Sequence, residues 1–304
     1  MNRRREPSLL SHLAAWLYAP VRVERLVFLR VFLPLIILGF MSSRLVHADF
    51  WIGDQGFSVP NLGGDWRQPI YLPPLPGSWA WLFATVMVLS GLATSAGLLT
   101  RASALTFAAT LAYAALADRL AAFTVSKLAP VVMIALAFSG ADVALSVDRW
   151  WRTRKADGHK PHVASLRTSG GALRFFQVLL PTFYCASGLC KAQGHWLERS
   201  DLLYTHLHDS YQTGVSLWLA NHMPAIGWGL LQHTTLAFET LAPLFFGLAV
   251  TRPYALAYGL VMHLMIGVMF GPVIWFSLLM MTLLLGAYGP ASVFDRGQDA
   301  ARAE

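Results

Sequence analysis

Charge is what this chain has least of. Of its 304 residues only 13% are Asp, Glu, Lys or Arg, while 56% are apolar; an ordinary soluble domain is about 25% charged. A soluble globular protein is thereby excluded. So is a disordered one, because disordered segments are poor in aliphatic and aromatic side chains and 12% of these residues are aromatic. Cysteine is equally sparse: Cys185 and Cys190 are the only two, too few for a disulfide framework. Five positions apart on one apolar helix, they point about 140° away from each other, which excludes a bridge between them and leaves them as small packing residues. Acidic residues are outnumbered, 16 to 23, giving a net charge of +7 and an isoelectric point near 9.7. In a soluble protein that excess would suggest nucleic-acid binding. In a membrane protein it marks Lys and Arg held on the cytoplasmic side, so nucleic acid is not an expected partner.

What the chain does have is long apolar runs, each near the roughly 20 residues needed to cross a bilayer. Eight stretches read as spans: 25–45, 79–99, 102–123, 127–147, 172–192, 226–250, 254–271 and 272–289. The fold class expected is an all-α, polytopic transmembrane bundle with the lipid bilayer as its first partner. The basic start, Arg3 to Arg5, leads into a mixed stretch and not into a cleavable signal. Residues 8–18 instead place Leu9, Leu10, Leu13, Trp16 and Leu17 on one helical face, the pattern of an interfacial helix lying on the membrane.

Charge bias orients the spans. With the N-terminus inside, six basic residues fall outside (Arg44, Arg67, Arg119, Lys127, Lys191 and Arg199), Arg30 lies within the first span, and the other 16 fall inside. Both termini are therefore expected in the cytoplasm, with an N-terminal interfacial segment at 1–24, a membrane domain at 25–290 and a tail at 291–304. The cell (inner) membrane, crossed several times, is the expected location. Of the two long outer loops, 46–78 is built for turns by its Gly and Pro content, and 193–225 is polar and rich in His, with a short helix around Thr205 to Leu219.

Within the spans, ionisable residues cost several kcal/mol unless paired or employed. Glu239 and His263 reach the same depth on neighbouring antiparallel spans, and read either as a hydrogen-bonded pair locking two helices or as a proton-handling pair lining a cavity. Lys191, at the outer end of the fifth span, reads by composition alone as a lysine reaching for the interface. Arg30 and Asp142, in the inner halves of spans, read as structurally paired, and Asp118 and Arg119 as meeting the outer interface. His206 and His208 form only the minimal His-x-His pattern, and no metal is predicted. Gly267 and Gly271 fit the small-residue packing motif of membrane helices.

One segment carries a chemical pedigree. From Phe183 to Trp196 the sequence FYCASGLCKAQGHW resembles the lysine-bearing segment of the vitamin K-dependent gamma-carboxylase family. Tyr184, Gly188 and Trp196 fall in register, Lys191 takes the place of the second of two lysines, the family's base, and Cys190 replaces the first. Leu145 to Asp148 is similar to the family's Ser-Val/Leu-Asp step, Glu239 to an acidic residue in its next apolar helix, and His263 to a helix histidine. The stretch from Trp51 to Gly56 and the Arg-rich entry resemble the wider bacterial HTTM (horizontally transferred transmembrane) set, over about 20–290.

The resemblance implies a lysine-base enzyme acting from the outer face on a reduced, vitamin K-like quinone. Oxygen converts such a quinol into a strong base that prepares a glutamate for carboxylation. Lys191 would be the base, and His263 and Glu239 would tune or relay protons in a cavity opening outward between the fifth, sixth and seventh spans. The carboxylase carries a large soluble portion after its membrane domain. This sequence runs only to Glu304, so a small lipid-soluble substrate is expected in place of a captured protein. The alternative is a non-enzymatic membrane partner in the maturation or export of a secreted peptide.

Overall fold

Apolar residues in unbroken runs of this length must satisfy every backbone polar group internally, and in lipid a helix is the simplest way to do so. The computed structural model describes residues 8–56, 70, 72–118, 123–155, 166–208 and 211–290. Its helices in chain order are α1 (Leu9–Tyr18), α2 (Glu24–Leu45), α3 (Ala48–Trp51), α4 (Gly77–Ala96), α5 (Thr100–Ala117), α6 (Thr124–Ala137), α7 (Val147–Lys155), α8 (Gly171–Ala192), α9 (Leu202–His206), α10 (Gly214–His222), α11 (Ala225–Thr240), α12 (Ala242–Gly247), α13 (Arg252–Met269) and α14 (Ile274–Tyr288). Four segments, Glu24–Leu45, Gly77–Ala96, Gly171–Ala192 and Gly271–Tyr288, are each long and apolar enough to cross a membrane. At 22 residues, α2 and α8 are each about 33 Å long, matching a hydrocarbon core of about 30 Å. Bundle helices present apolar side chains outward, among them Leu89, Leu230 and Val261, as a lipid-facing surface does. α1 buries none of its residues.

Three departures from the sequence pattern have physical causes. The stretch 127–147 is helical only to Ala137; the chain then turns through Gly140 into a 3-10 turn at Ala141–Val143, so Asp142 lies outside the helix and pairs with Arg152 at 3.0 Å. The stretch 226–250 is divided between α11 and α12, because Pro243 has no N–H to continue the ladder. A small antiparallel sheet, β1 (Pro20–Arg22) with β2 (Arg167–Ser169), ties the entry of α2 to the entry of α8, an element that an all-α reading omits.

In the first outer loop, Gly53 to Gly56 and Pro73 to Pro76 are described. Most of its Gly- and Pro-rich centre, together with Arg67, Arg119 and the tail at 291–304, lies outside the described residues. Asp118 accepts a 2.8 Å hydrogen bond from the Trp51 indole. In the second loop the helix expected around Thr205 to Leu219 is two helices, α9 and α10, the second opened by a capping box in which Thr213 and Ser216 bond each other's amides.

The turn from α4 to α5 is a fixed corner. Gly97 takes a left-handed φ of 71°, and a Cβ there would lie 1.9 Å from Nη1 of the fully buried Arg30, so only glycine fits. Arg30 in turn donates to the Leu145 carbonyl at 2.6 Å. Asp148 finishes the corner: its carboxylate accepts from the amides of Leu99 and Thr100 at 2.8 and 2.9 Å and from the Thr100 hydroxyl at 3.0 Å. Partial burial opposes its ionisation, but these hydrogen bonds and the charge of Arg152 prevail and hold its pKa below the ordinary carboxylate value.

Removing this cap in Asp148→Ala should lower stability by about 1 kcal/mol, read as a fall in Tm of the detergent-solubilised protein. Because the folded pKa is depressed, the wild-type advantage is complete above the ordinary carboxylate range and is lost as pH falls through the folded value. The Tm difference between the two proteins should therefore shrink below about pH 4; a difference undiminished there would contradict the role given to the ionised cap.

Candidate functional site

Gln177, Pro181, Tyr184, Gly188 and Lys191 repeat at helical spacing along α8 and so share one face, and each is engaged by another element. Pro181 lacks the N–H that would bond the Gln177 carbonyl, and the Tyr288 hydroxyl of α14 donates to that oxygen instead. The Gln177 amide donates to the Ala287 carbonyl at 2.8 Å. At Gly188 a Cβ would stand 2.5 Å from the backbone nitrogen of Thr240, so glycine lets α8 and α11 touch backbone to backbone. One turn further on, Lys191 Nζ lies 2.5 Å from both carboxylate oxygens of Glu239 and 5.0 Å from the centre of the Trp196 ring.

That ion pair is unequally wet. The Glu239 side chain is 7% exposed and that of Lys191 is 26%, so the lysine faces an opening while the carboxylate is sealed behind it. Two of the three ammonium donors are taken by Glu239, and among the described residues the third has no hydrogen-bond partner, which leaves it to a ligand. Beside the pair is a cavity of about 330 Å³ lined by Lys191, Trp196, Leu203, His206, Leu231, Thr235 and Glu239 and, from α13, by Tyr258, Val261, Met262, Met265, Ile266, Met269 and Phe270. Its size falls among small-molecule sites of about 300–1,000 Å³, and so does its character, apolar walls with a few converging polar groups. The methionines make an adaptable wall.

His263 and Glu239 are not bonded to each other, in contrast to the pairing their common depth suggests. Pro243 ends α11 just beyond Glu239, which therefore sits in the helix's last turn and reaches Lys191. His263 Nε2 lies 2.6 Å from the Tyr184 hydroxyl, and both residues are 2% exposed. With Tyr184 donating, the ring carries its proton on Nδ1, which has no partner among the described residues. Phe246 stacks on Tyr184, and Phe238 and Phe276 meet Tyr184 and His263 edge-on. All three residues singled out by the sequence thus fasten to α8 or lie on it, as two separate pairs.

Other residues matter that the sequence reading passed over. Gln232, fully buried in α11, donates to the carbonyls of Trp196, at 3.0 Å, and Arg199, and accepts from the Leu203 amide at 3.2 Å. It pins the segment after Lys191 across the mouth of the cavity. The signal was present in the sequence: Gln232, Thr235 and Glu239 form a polar stripe at i, i+3 and i+7 on an otherwise apolar helix. His206 lines the cavity with its Nδ1 2.6 Å from the Leu202 carbonyl, whereas His208 meets the ring of Tyr204 edge-on. Among the described residues no group of three His, Cys, Asp or Glu is placed to hold a metal ion, and both cysteines are free.

Gln232→Leu leaves two carbonyls and an amide of a part-buried segment without their partner, at roughly 1–3 kcal/mol for each group that water does not reach. A Tm lowered by several degrees, with faster proteolysis between Trp196 and Leu203, is the expected result. Unchanged cleavage would show that something else holds this segment.

No curated protein and no solved structure matches the sequence. A family does: the HTTM domain model matches residues 18–287, a range that takes in α2 to α13, α14 up to Ala287 and every residue that lines the cavity. The chain belongs to the HTTM domain family of membrane proteins.

Proposed function

We propose that this HTTM protein is a multi-pass enzyme of the cell (inner) membrane, with both termini in the cytoplasm, that handles the proton of a reduced quinone in the cavity beside Lys191. The observation that carries the reading is the Lys191–Glu239 pair, half-sealed at the end of an apolar cavity whose other walls are mostly aliphatic, aromatic and methionine side chains. The residues fit such a group. A flat apolar ring matches the Met and aromatic walls, and a ring oxygen finds both a donor and a carboxylate at one end.

A quinol, when bound, supplies an ionisable hydroxyl and the electrons that oxygen takes up. The chain's own part is to hold and move the proton. Lys191 can receive one only after giving one up, and Glu239, in contact through both oxygens, is the group that takes it. Trp196 covers the ammonium with its ring face, an attraction of about 0.5–2 kcal/mol, and Gln232 keeps the covering segment in place. Tyr184 and His263 act as positioning residues, filling the floor behind the pair so that α8 cannot rotate Lys191 away from the cavity.

Lys191→Ala should reduce turnover of a reduced naphthoquinone by reconstituted protein about 10²- to 10⁴-fold, the usual worth of a positioned acid-base group, while the protein still elutes as a folded species. Unchanged turnover would overturn the proposal. A ligand-free chain that always purifies with a stoichiometric membrane partner would instead support a non-enzymatic role in peptide maturation or export.

A further inference from the structure

The end of the bundle opposite the cavity carries an unexplained combination. Leu99 and Leu145 both hold left-handed backbone conformations, φ 45° and 46°, which are uncommon for any residue but Gly, Asn or Asp. Yet the two residues are 63% and 70% exposed, so no packing inside the protein explains why leucine stands in either place. Beside them α7 sets Trp150 and Trp151 half-exposed in succession. In water, two strained leucines and two adjacent tryptophans on the surface would be costly. In the interfacial zone of a bilayer they would be favoured, because indole settles at headgroup level and leucine below it.

The level of α7 is fixed independently. The Asp148 amide donates to the Gly97 carbonyl at 3.0 Å, and Gly97 immediately follows α4, a helix long and apolar enough to cross a membrane. α7 therefore starts where a spanning helix stops. Charge gives the kind of surface. Between α5 and α7 lies an open groove of about 600 Å³ lined in part by Leu99, Arg101, Asp142, Trp151 and Arg152. Its acids are already engaged, Asp142 by Arg152 and Asp148 by the amides and hydroxyl of the α5 corner. No carboxylate pairs with Arg101 or Arg154 among the described residues, and Arg154 lies 3.7 Å over the Trp150 ring.

We infer that α7 with the Leu99 and Leu145 corners is a membrane-seated wedge that binds anionic phospholipid, the leucines and indoles entering the leaflet while Arg101 and Arg154 hold phosphate headgroups. This is a second anchor, separate from α1 and independent of the chemistry at Lys191.

A nitroxide at Leu145→Cys, in a Cys185→Ser/Cys190→Ser background, reports its surroundings in nanodiscs containing phosphatidylglycerol. Collisions with oxygen exceeding those with a water-soluble nickel chelate are expected, and the reverse order would overturn the wedge. In the second arm, native mass spectrometry compares retained phosphatidylglycerol with phosphatidylcholine. Arg101→Gln and Arg154→Gln should each lower that preference about fivefold. A wild-type protein with no preference, or variants that keep it, would overturn the assignment to anionic lipid. Neither variant touches the quinol site, so naphthoquinone turnover should be unchanged and serves as the folding control.

Discussion

A lysine ammonium held between the two oxygens of a glutamate, at the end of a cavity lined mostly by carbon and sulfur, is the interaction around which this bundle is arranged. Separately, each charge would be expensive at that position, and removing one partner of such a buried pair typically costs about 3–5 kcal/mol because the other is left uncompensated. Together they bind the last turn of α8 to the last turn of α11. The contact is possible only because Gly188 admits the backbone of Thr240 one turn earlier and because Pro243 ends α11 just past Glu239.

The remaining polar groups of the bundle serve the same placement. Helices in lipid gain nothing from hiding apolar surface, and they associate instead through close packing and hydrogen bonds. Pro181 releases a carbonyl that Tyr288 takes, Gln177 reaches Ala287, and Tyr184 meets His263 beneath an aromatic stack. Three successive turns of α8 are thereby fixed to α14, α13 and α12 before the helix reaches Lys191. Gln232 extends this order outward by holding the segment that follows. The result is a pocket whose polar end is rigid and whose methionine-rich wall, on α13, can adapt.

Much of this was legible in the sequence because its period is that of a helix. The α8 face can be read directly from Gln177, Tyr184, Gly188 and Lys191, and the α11 stripe from Gln232, Thr235 and Glu239. Apolar run lengths located the bundle helices, with α2 and α8 found almost to the residue. What could not be read was which stripe meets which. Equal depth pointed to a Glu239–His263 pair, but depth fixes only one coordinate, and rotation about each helix axis decided for Lys191 and Tyr184. The ends of the stretches 127–147 and 226–250 were misread because hydropathy continues through Gly140 and Pro243 while the backbone ladder does not. β1 and β2 were invisible for the opposite reason: three residues are too few for alternation to register.

The most direct measurement of the central interaction is a double-mutant cycle on Lys191→Met and Glu239→Leu, with unfolding followed for the wild type, both single variants and the pair. If the two charges are retained as a coupled unit, each single change is strongly destabilising and the double variant recovers part of the loss, with a coupling energy of at least about 1 kcal/mol. Additive losses, with no recovery in the double variant, would contradict the account.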